Sequence, residues 1–326
     1  MKKFLIFALC LLMVMPMALV GCGDTPDAPA TVKFGAAVYA SAPAVTDATE
    51  DKEGTGNIDL TVCAVTVDAD GKIAACELDT ASNTVKFTAD GKAVANAEFK
   101  TKYEQGAGYN MVAYGGATKE WFEQADAFEA LVVGKTIAQV KALVAEGGKG
   151  TEEVVTAGCT IAINEFVGAI EKAYNAATAE IAADAKLIVA IATEQTCTDA
   201  TEEKDGSNKV TMNVFASTTD ADGKIVAASS DCVEVSFTFT AAGAATLDTA
   251  KAVASKKEQG SAYGMVAYGG AAKEWFEQAA AFDAACIGKT KAEIAGLKAE
   301  DGKGTSDLQS AGCTIDITGF VKAATK

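Results

Sequence analysis

The sequence contains a long internal repeat, and this repeat limits the folds open to the chain more than any other feature. Trp121 and Trp275 are 154 residues apart, as are the equivalent positions around them. Residues 102–136 and 256–290 are identical at 25 of 35 positions, well beyond chance. Each repeat spans about 140 residues, which is enough for a domain and much longer than the unit of a solenoid.

The alignment of the repeats sets the boundaries of two predicted tandem homologous domains. Domain 1 covers 32–174 and domain 2 covers 185–326. Residues 175–184 form an alanine-rich linker, whose composition is compatible with an extension of the preceding helix. We expect each domain to bury its own core.

The N-terminus has the pattern of a secreted lipoprotein. Two lysines precede the apolar run Phe4–Val20, and Leu-Val-Gly stands directly before Cys22. This pattern is typical of a signal peptide, and a Cys after such a triplet resembles the site where bacteria attach lipid. We expect a signal peptide at 1–21 and a lipid-anchored linker at 22–31. An uncleaved membrane anchor is the alternative, although about 17 apolar residues are at the short limit of a span.

The charge of the chain excludes several classes of function. The net charge is −16, and the sequence has neither Arg nor His. Such a chain lacks the positively charged surface that binds nucleic acid. Anionic lipid also repels it, so we expect membrane contact to depend on the lipid anchor alone. Because His is the commonest metal ligand and general base, we expect no metal site and no catalytic residues.

The first half of each repeat predicts β-structure. Residues 233–239 alternate apolar and polar side chains with a period of two, as in a strand with one buried face. Asp70-Gly71 and Asp222-Gly223 lie between β-rich segments and predict two hairpin turns.

The second half of each repeat predicts helices. Trp121, Ala125 and Phe128 follow helical spacing, which favours core packing of the tryptophan over ligand contact. Thr136 can cap a second helix, and a third begins near Asn164. Strands followed by helices indicate an α+β fold, with helices packed on an antiparallel sheet in each domain.

A short glycine turn ends in Thr in both repeats, as Gly158-Cys159-Thr160 and Gly312-Cys313-Thr314. Each turn runs towards an apolar helix, and the free N–H groups of a helix N-terminus can bind a phosphate. Glycine also permits backbone conformations that other residues avoid. The alternative is an ordinary strand-to-helix turn in which Thr caps the helix.

These turns resemble the flavinylation motif of FMN-binding domains, Ser/Thr-Gly-Ala-Thr, in which a flavin transferase joins the FMN phosphate to the last Thr. In this chain Ala157 and Ala311 take the first position, and Cys replaces Ala at the third. The blocks Glu-Gln-Gly-x-x-Tyr-x-Met and Lys-Glu-Trp-Phe-Glu-Gln-Ala are similar to those of flavinylated electron-transfer lipoproteins of Gram-positive bacteria. Those proteins also have two such domains behind a lipid-attachment site, so the resemblance covers nearly the whole chain.

The resemblance implies a covalent FMN, as a phosphoester, on Thr160 and on Thr314. The other residues expected at the cofactor are Gly158, Gly312, Cys159 and Cys313 beside the phosphate, and Tyr109, Tyr263, Met111, Met265, Tyr114 and Tyr268 along the ring system. The resemblance also implies three partners: a flavin transferase, a membrane electron donor and an external electron acceptor.

The cysteines do not form a disulfide framework shared by the repeats. Seven cysteines follow Cys22, and only Cys159 and Cys313 are equivalent. Cys63 and Cys76 would face each other across the first predicted hairpin, so a cross-strand bridge and two free thiols both remain open.

Together these observations predict a membrane-tethered electron carrier outside the cytoplasm, with FMN bound to each domain. The alternative is a non-redox lipoprotein that binds a peptide, a sugar or a cell-wall ligand through the same turns.

Overall fold

The computed structural model of the chain describes residues 30–249 and 253–326. The predicted signal peptide, the lipidation site Cys22 and most of the predicted 22–31 linker lie outside these ranges. The strands are β1 Thr31–Ala40, β2 Ala44–Thr46, β3 Gly54–Val67, β4 Ile73–Phe87, β5 Ala93–Val94, β6 Ala179–Ala182, β7 Lys186–Thr198, β8 Gly206–Thr219 and β9 Ile225–Phe239. The α-helices are α1 Lys102–Gln105, α2 Trp121–Val132, α3 Ile137–Lys141, α4 Glu152–Ala157, α5 Asn164–Asn175, α6 Lys256–Gln259, α7 Trp275–Cys286, α8 Lys291–Ala295, α9 Ser306–Ser310 and α10 Thr318–Ala324, and short 3₁₀ turns lie at Gly106–Tyr109, Glu146–Gly148 and Gly260–Tyr263.

The strands form two antiparallel sheets, which confirms the predicted α+β class. The first sheet has the order β5-β4-β3-β1-β6, with β2 paired to β3, and the second has the order β7-β8-β9. Both predicted hairpin turns are present: the N–H of Gly71 donates to Asp68 O over 3.1 Å, and Gly223 does the same to Asp220 O over 3.1 Å. Each glycine has a positive φ, of 73° and 75°, which explains its place in the turn.

The two sheets pack face to face, with the helices on their outer faces. Along β3, Leu60 and Val62 point towards the second sheet, whereas Cys63 and Val65 point towards the helices. Because both faces are buried, β3 is mostly apolar in this segment, with Thr61 and Thr66 as its buried polar residues, and it lacks the alternation of a half-exposed strand. The layers are therefore helices, sheet, sheet, helices.

The core between the sheets contains residues from both repeats, which corrects the expectation of two self-contained cores. It includes Val38, Ile58, Leu60, Val62, Ala81 and Val85 from the first repeat and Ile191, Val210, Met212, Val214, Val233, Val235 and Phe237 from the second. Each repeat also has a core of its own between its sheet and its helices, around Trp121 and Phe128 in the first and around Trp275 and Phe282 in the second. The tryptophans pack in these cores, as their spacing predicted.

The expectation for the alanine-rich linker was wrong. The third helix of the first repeat, α5, ends at Asn175, and the linker then forms β6, which pairs with β1. The edge of β1 offers unpaired backbone groups, and Ile181 of β6 is buried against the second sheet. Pairing and burial outweigh the helix propensity of alanine here. No helix within the described ranges is long and apolar enough to cross a membrane.

Candidate functional site

The glycine turn follows a helix that the sequence did not predict. Helix α4 ends at Gly158, whose φ is 106°, and the N–H groups of Gly158 and Cys159 donate to Val155 O and Val154 O over 3.0 and 3.1 Å. Helix α5 begins only at Asn164. The turn is thus the C-terminal cap of α4, so neither a helix N-terminus nor a strand-to-helix turn describes it. These N–H groups are already bonded and are not free to hold a phosphate.

Thr160 is exposed, and a buried glutamine fixes its position. Gln124 of α2 has 1% of its surface exposed, and its Oε1 accepts both the N–H and the Oγ1–H of Thr160, at 2.8 and 2.9 Å. Its Nε2 donates to Lys119 O over 3.0 Å, which sets the orientation of the amide. Every polar atom of this buried side chain is therefore satisfied, as burial requires.

The second repeat reproduces this arrangement. Oε1 of Gln278, also 1% exposed, accepts the N–H and Oγ1–H of Thr314 at 2.9 Å each, and its Nε2 donates to Lys273 O over 3.0 Å. Sequence reasoning missed both glutamines as site residues. The available signal was the constant separation of 36 residues between each glutamine and its threonine.

A buried glutamate links the same helix to the loop that carries the predicted Tyr-x-Met pair. The carboxylate of Glu120, just before α2, accepts the N–H groups of Met111 and Val112 over 2.9 and 3.3 Å. In the second repeat Glu274 accepts the N–H of Met265 over 3.0 Å. The Lys-Glu-Trp-Phe-Glu-Gln block therefore holds the methionine loop with its glutamate and the threonine turn with its glutamine.

A lysine lies against each glycine of the turns. Nζ of Lys273 donates to Ala311 O over 3.1 Å, and a Cβ at Gly312 would collide with this lysine. Lys119 occupies the corresponding place at Gly158. Each turn thus has an ammonium group against its glycine, two residues before the exposed threonine. The positive φ and the lysine together explain why glycine is needed.

A cleft of about 410 Å³ lies in the second repeat and is lined by the two residues that follow Thr314, Ile315 and Asp316. Its wall contains two of the residues expected at a ring system, Tyr263 and Met265, together with Trp275 and with Ile315, the neighbour of Thr314. The rest of the wall is Glu194, Thr211, Asn213, Cys232, Glu234, Lys256, Asp316, Gly319 and Phe320. The volume is in the range of small-molecule sites, and the aromatic and sulfur surfaces suit a flat heterocycle.

A lysine ammonium in each repeat lies over two of the aromatic rings. Lys256 Nζ is 5.0 Å from the ring centre of Tyr263 and 5.6 Å from that of Trp275. Burial tends to lower the pKa of Lys256, but Cys232, Tyr263 and Glu234 outweigh it, so the pKa is raised and the group stays charged. In the first repeat Lys102 Nζ lies 5.3 Å from Tyr109 and 5.5 Å from Trp121.

The first repeat differs from the second at the position equivalent to Gly319. There Glu165 introduces a half-buried carboxyl near Asp59 and Lys102. Burial raises the pKa of Glu165, Asp59 raises it further, and Lys102 opposes both effects. Gly319 has no side chain and so provides no such group in the second repeat, where a Cβ would collide with Asn213. The two repeats therefore share a lysine over equivalent aromatic rings and differ in the polar groups beside it.

Four of the predicted residues, one tyrosine and one cysteine in each repeat, do not contribute to these aromatic walls. Tyr114 and Tyr268 are 88% and 91% exposed on their loops. Cys159 and Cys313 turn their side chains into the helical cores, where burial raises the pKa of each thiol to about 11. Such thiols are packing residues and poor nucleophiles.

The two cysteines of the first hairpin, Cys63 and Cys76, do not form a disulfide. Cys63 pairs with Leu78 and Cys76 with Val65, so the two cysteines are diagonal neighbours and do not lie opposite each other. Their sulfurs are 4.0 Å apart, and both are free thiols.

Across residues 30–249 and 253–326, no group of three or more Cys, Asp or Glu side chains is arranged to hold a metal ion. No protein-family model matches the chain, and no curated protein or solved structure is significantly similar to it.

Proposed function

We propose that this protein is an electron carrier with FMN bound covalently to Thr160 and Thr314. The observation that carries the proposal is the hydrogen bond from each exposed threonine to a buried glutamine, which occurs in both repeats. A surface threonine that serves only as a turn residue does not need a buried side chain to fix its hydroxyl. This bond joins the two motifs on which the resemblance to flavinylated proteins rests.

The residues of each turn have distinct roles in attachment. Because Thr160 donates its hydroxyl hydrogen to Gln124, its oxygen lone pairs can face a phosphorus atom. A flavin transferase then forms the bond from Thr Oγ1 to the phosphorus of the FMN half of FAD, with AMP leaving and a base of the transferase taking the proton. Lys119 and Lys273 offset the charge of the resulting phosphodiester, since the backbone N–H groups of the turns are occupied.

The cleft of the second repeat receives the ring system attached at Thr314. Tyr263, Met265 and Trp275 supply aromatic and sulfur contacts in this cleft, whose wall also contains Ile315, the residue after the attachment point. Bound flavin supplies the one- and two-electron chemistry, and the protein orients it and adjusts its electronic surroundings. Tyr109, Met111 and Trp121 have the same role in the first repeat.

The cellular setting belongs to the same proposal. The repeats are two tandem homologous domains behind a signal peptide, anchored by lipid on Cys22 at the outer side of the cell membrane. A membrane electron donor reduces the flavins, and an external acceptor oxidises them. The protein is thus a carrier without a catalytic site of its own.

Mass spectrometry tests the proposal directly. The full chain, co-expressed with a flavin transferase and FAD, should gain the mass of two FMN groups and remain yellow after denaturation. Thr160→Ala and Thr314→Ala should each remove one group, and the double variant both. Flavin mapped to any other residue, or a colourless product with an active transferase, would refute the proposal.

One observation favours the alternative of ligand binding without redox chemistry. A cavity of about 490 Å³ lies between the repeats, with Glu77, Asp79 and Tyr103 on one side and Ile188, Phe215 and Ile225 on the other. Its size suits a small molecule. A colourless protein whose denaturation midpoint rises with a peptide, sugar or cell-wall fragment would support this alternative.

A further inference from the structure

Lys256 is held in the cleft by several independent contacts. Its side chain is 12% exposed, its ammonium lies over Tyr263 and Trp275, and it forms an ion pair of 3.2 Å with Glu234. A long, flexible side chain on a free surface is not normally fixed in this way, because ordering it costs rotamer entropy. The fold therefore places a positive charge at a defined point of the cleft.

The first repeat keeps this lysine while its surroundings change. Lys102 is equivalent to Lys256 and lies over the equivalent rings of Tyr109 and Trp121. The next residue along the chain is Tyr103 in one repeat and Lys257 in the other. The stacked lysine is thus a constant feature of the two sites.

We propose that Lys256 and Lys102 set the reduction potentials of the two bound flavins. This inference rests on the proposed function. Reduction places more negative charge on the ring system, and an ammonium that is shielded from water stabilises that charge more than water-exposed cations do. Each lysine therefore raises the potential of the flavin in its own site.

The other charged groups at the sites modify this effect. Glu194, Glu234 and Asp316 line the second cleft, and Glu234 is paired with Lys209 at 3.0 Å as well as with Lys256. Ser82 stands at the equivalent position in the first repeat, where Asp59 and Glu165 are the acids near Lys102. The pairing with Glu234 reduces the field of Lys256, so removing that carboxylate should raise the potential of the second flavin.

The test uses full-length flavinylated protein in the Thr160→Ala background, where Thr314 holds the single flavin. Spectroelectrochemical titration should show a more negative potential for Lys256→Met than for the parent, a more positive potential for Glu234→Gln, and near-parent behaviour for Lys256→Arg. Lys257→Met is the matched control, since Lys257 Nζ bonds to Ser229 Oγ over 2.8 Å and does not line the cleft. It should leave the potential unchanged.

A potential in Lys256→Met equal to that of the parent would overturn the inference, and so would equal shifts in Lys256→Met and Lys257→Met. If Lys256→Met fails to fold or to take up flavin, Lys102→Met in the Thr314→Ala background makes the same measurement on the first site. Failure of the proposed function itself would differ, because the wild-type chain would then carry no flavin on either threonine.

Discussion

At the residue scale, Gln124 and Gln278 connect two motifs that lie 36 residues apart in sequence. Gln124→Ala should leave the Thr160 hydroxyl without its partner and allow it to rotate. Loss of such positioning slows a reaction strongly, and we expect flavin attachment at Thr160 to slow by about tenfold or more. Peptide-level occupancy against time measures this, with Thr314 in the same molecule as internal control. Equal rates at the two threonines would show that the glutamine is only a packing residue.

The glycine of the turn gives a second test at this scale. Gly158 has a φ of 106°, where a side chain is strained by roughly 1–2 kcal/mol, and a Cβ would also displace Lys119. Gly158→Val should therefore greatly reduce flavin on Thr160 while Thr314 keeps its own. Lys135→Ala is the comparison, since its ion pair with Glu153 is at the surface and contributes about 0–1 kcal/mol. If both variants load flavin as the wild type does, the turn does not shape the phosphate site.

At the element scale, strand β4 and helix α2 bring carboxyl groups together. Burial and then repulsion by neighbouring carboxylates raise the pKa of Glu129 to about 8 and that of Glu77 to about 7. The folded state therefore binds protons more tightly than the unfolded chain, so the free energy of unfolding falls as pH rises from about 4.5 towards 8. Neutralising either carboxyl should relieve part of this loss.

Glu129→Gln tests this pH dependence of stability. In the wild type the N–H of Leu78 donates to Glu129 Oε1 over 2.7 Å, and the amide oxygen of a glutamine can still accept that hydrogen bond. At pH 8 it should be more stable than wild type by roughly 1–2 kcal/mol after allowance for solvent screening, and the difference should shrink towards pH 5. Urea unfolding at both pH values measures it. Glu146→Gln, in an exposed loop, should follow the wild type. A Glu129→Gln benefit that is independent of pH would contradict the explanation.

The same scale shows what sequence patterns could and could not predict. The hairpin turns and helices α2 and α5 follow from strong local signals: Asp-Gly pairs, a tryptophan stripe and a Phe166/Ile170 stripe. Helix α4 has only six residues, too few to establish a periodicity, and the sequence did not predict it. The turn after it was therefore predicted wrongly as the entry to a helix, whereas it is the C-terminal cap of α4. Strand β6 depends on an available sheet edge, which is a tertiary property.

The candidate site was predictable in part for a similar reason. The threonines and the Tyr-x-Met pairs occur in recognisable motifs, and the structure places Tyr263 and Met265 in a cleft whose wall includes Ile315, the residue after Thr314. The roles of Gln278 and Lys256 depend on contacts between elements that are far apart in sequence. Nothing local distinguishes them from the other polar residues of an amphipathic segment.

At the scale of the whole molecule, the repeats make reciprocal contacts. Ala48 donates its N–H to Gly243 O and the equivalent Ala200 donates to Gly91 O, both over 2.8 Å. The ion pairs Lys172–Glu258 and Lys326–Glu104 are related in the same way. Such reciprocity is the property of a two-fold interface between identical subunits, here formed within one chain. This interface could not be predicted from the sequence. A strand that is buried on both faces shows little alternation of apolar and polar residues, so its pattern does not indicate that a second sheet packs on it.

Phe87 and Phe239 are equivalent residues of the two repeats. Their rings stack on each other, with centres 4.4 Å apart and planes 2° from parallel. Phe87→Ala should destabilise the protein by about 3–5 kcal/mol. Because the ring belongs to a shared contact, we expect the loss to affect both repeats together. The chain has two tryptophans, Trp121 in one helical core and Trp275 in the other, so each reports on one repeat.

Fluorescence-detected urea unfolding of Trp275→Phe follows the first repeat alone, and that of Trp121→Phe follows the second. The two proteins should each show one transition, and adding Phe87→Ala should move both midpoints to lower urea by similar amounts. Ala138→Gly, at an exposed position of helix α3 in the first repeat, is the control for a small destabilisation and should lower both midpoints only slightly, by the equivalent of about 1 kcal/mol. If Phe87→Ala shifts the Trp121 signal and leaves the Trp275 signal in place, the repeats unfold independently. The reciprocal contacts would then hold the halves side by side without coupling their stability.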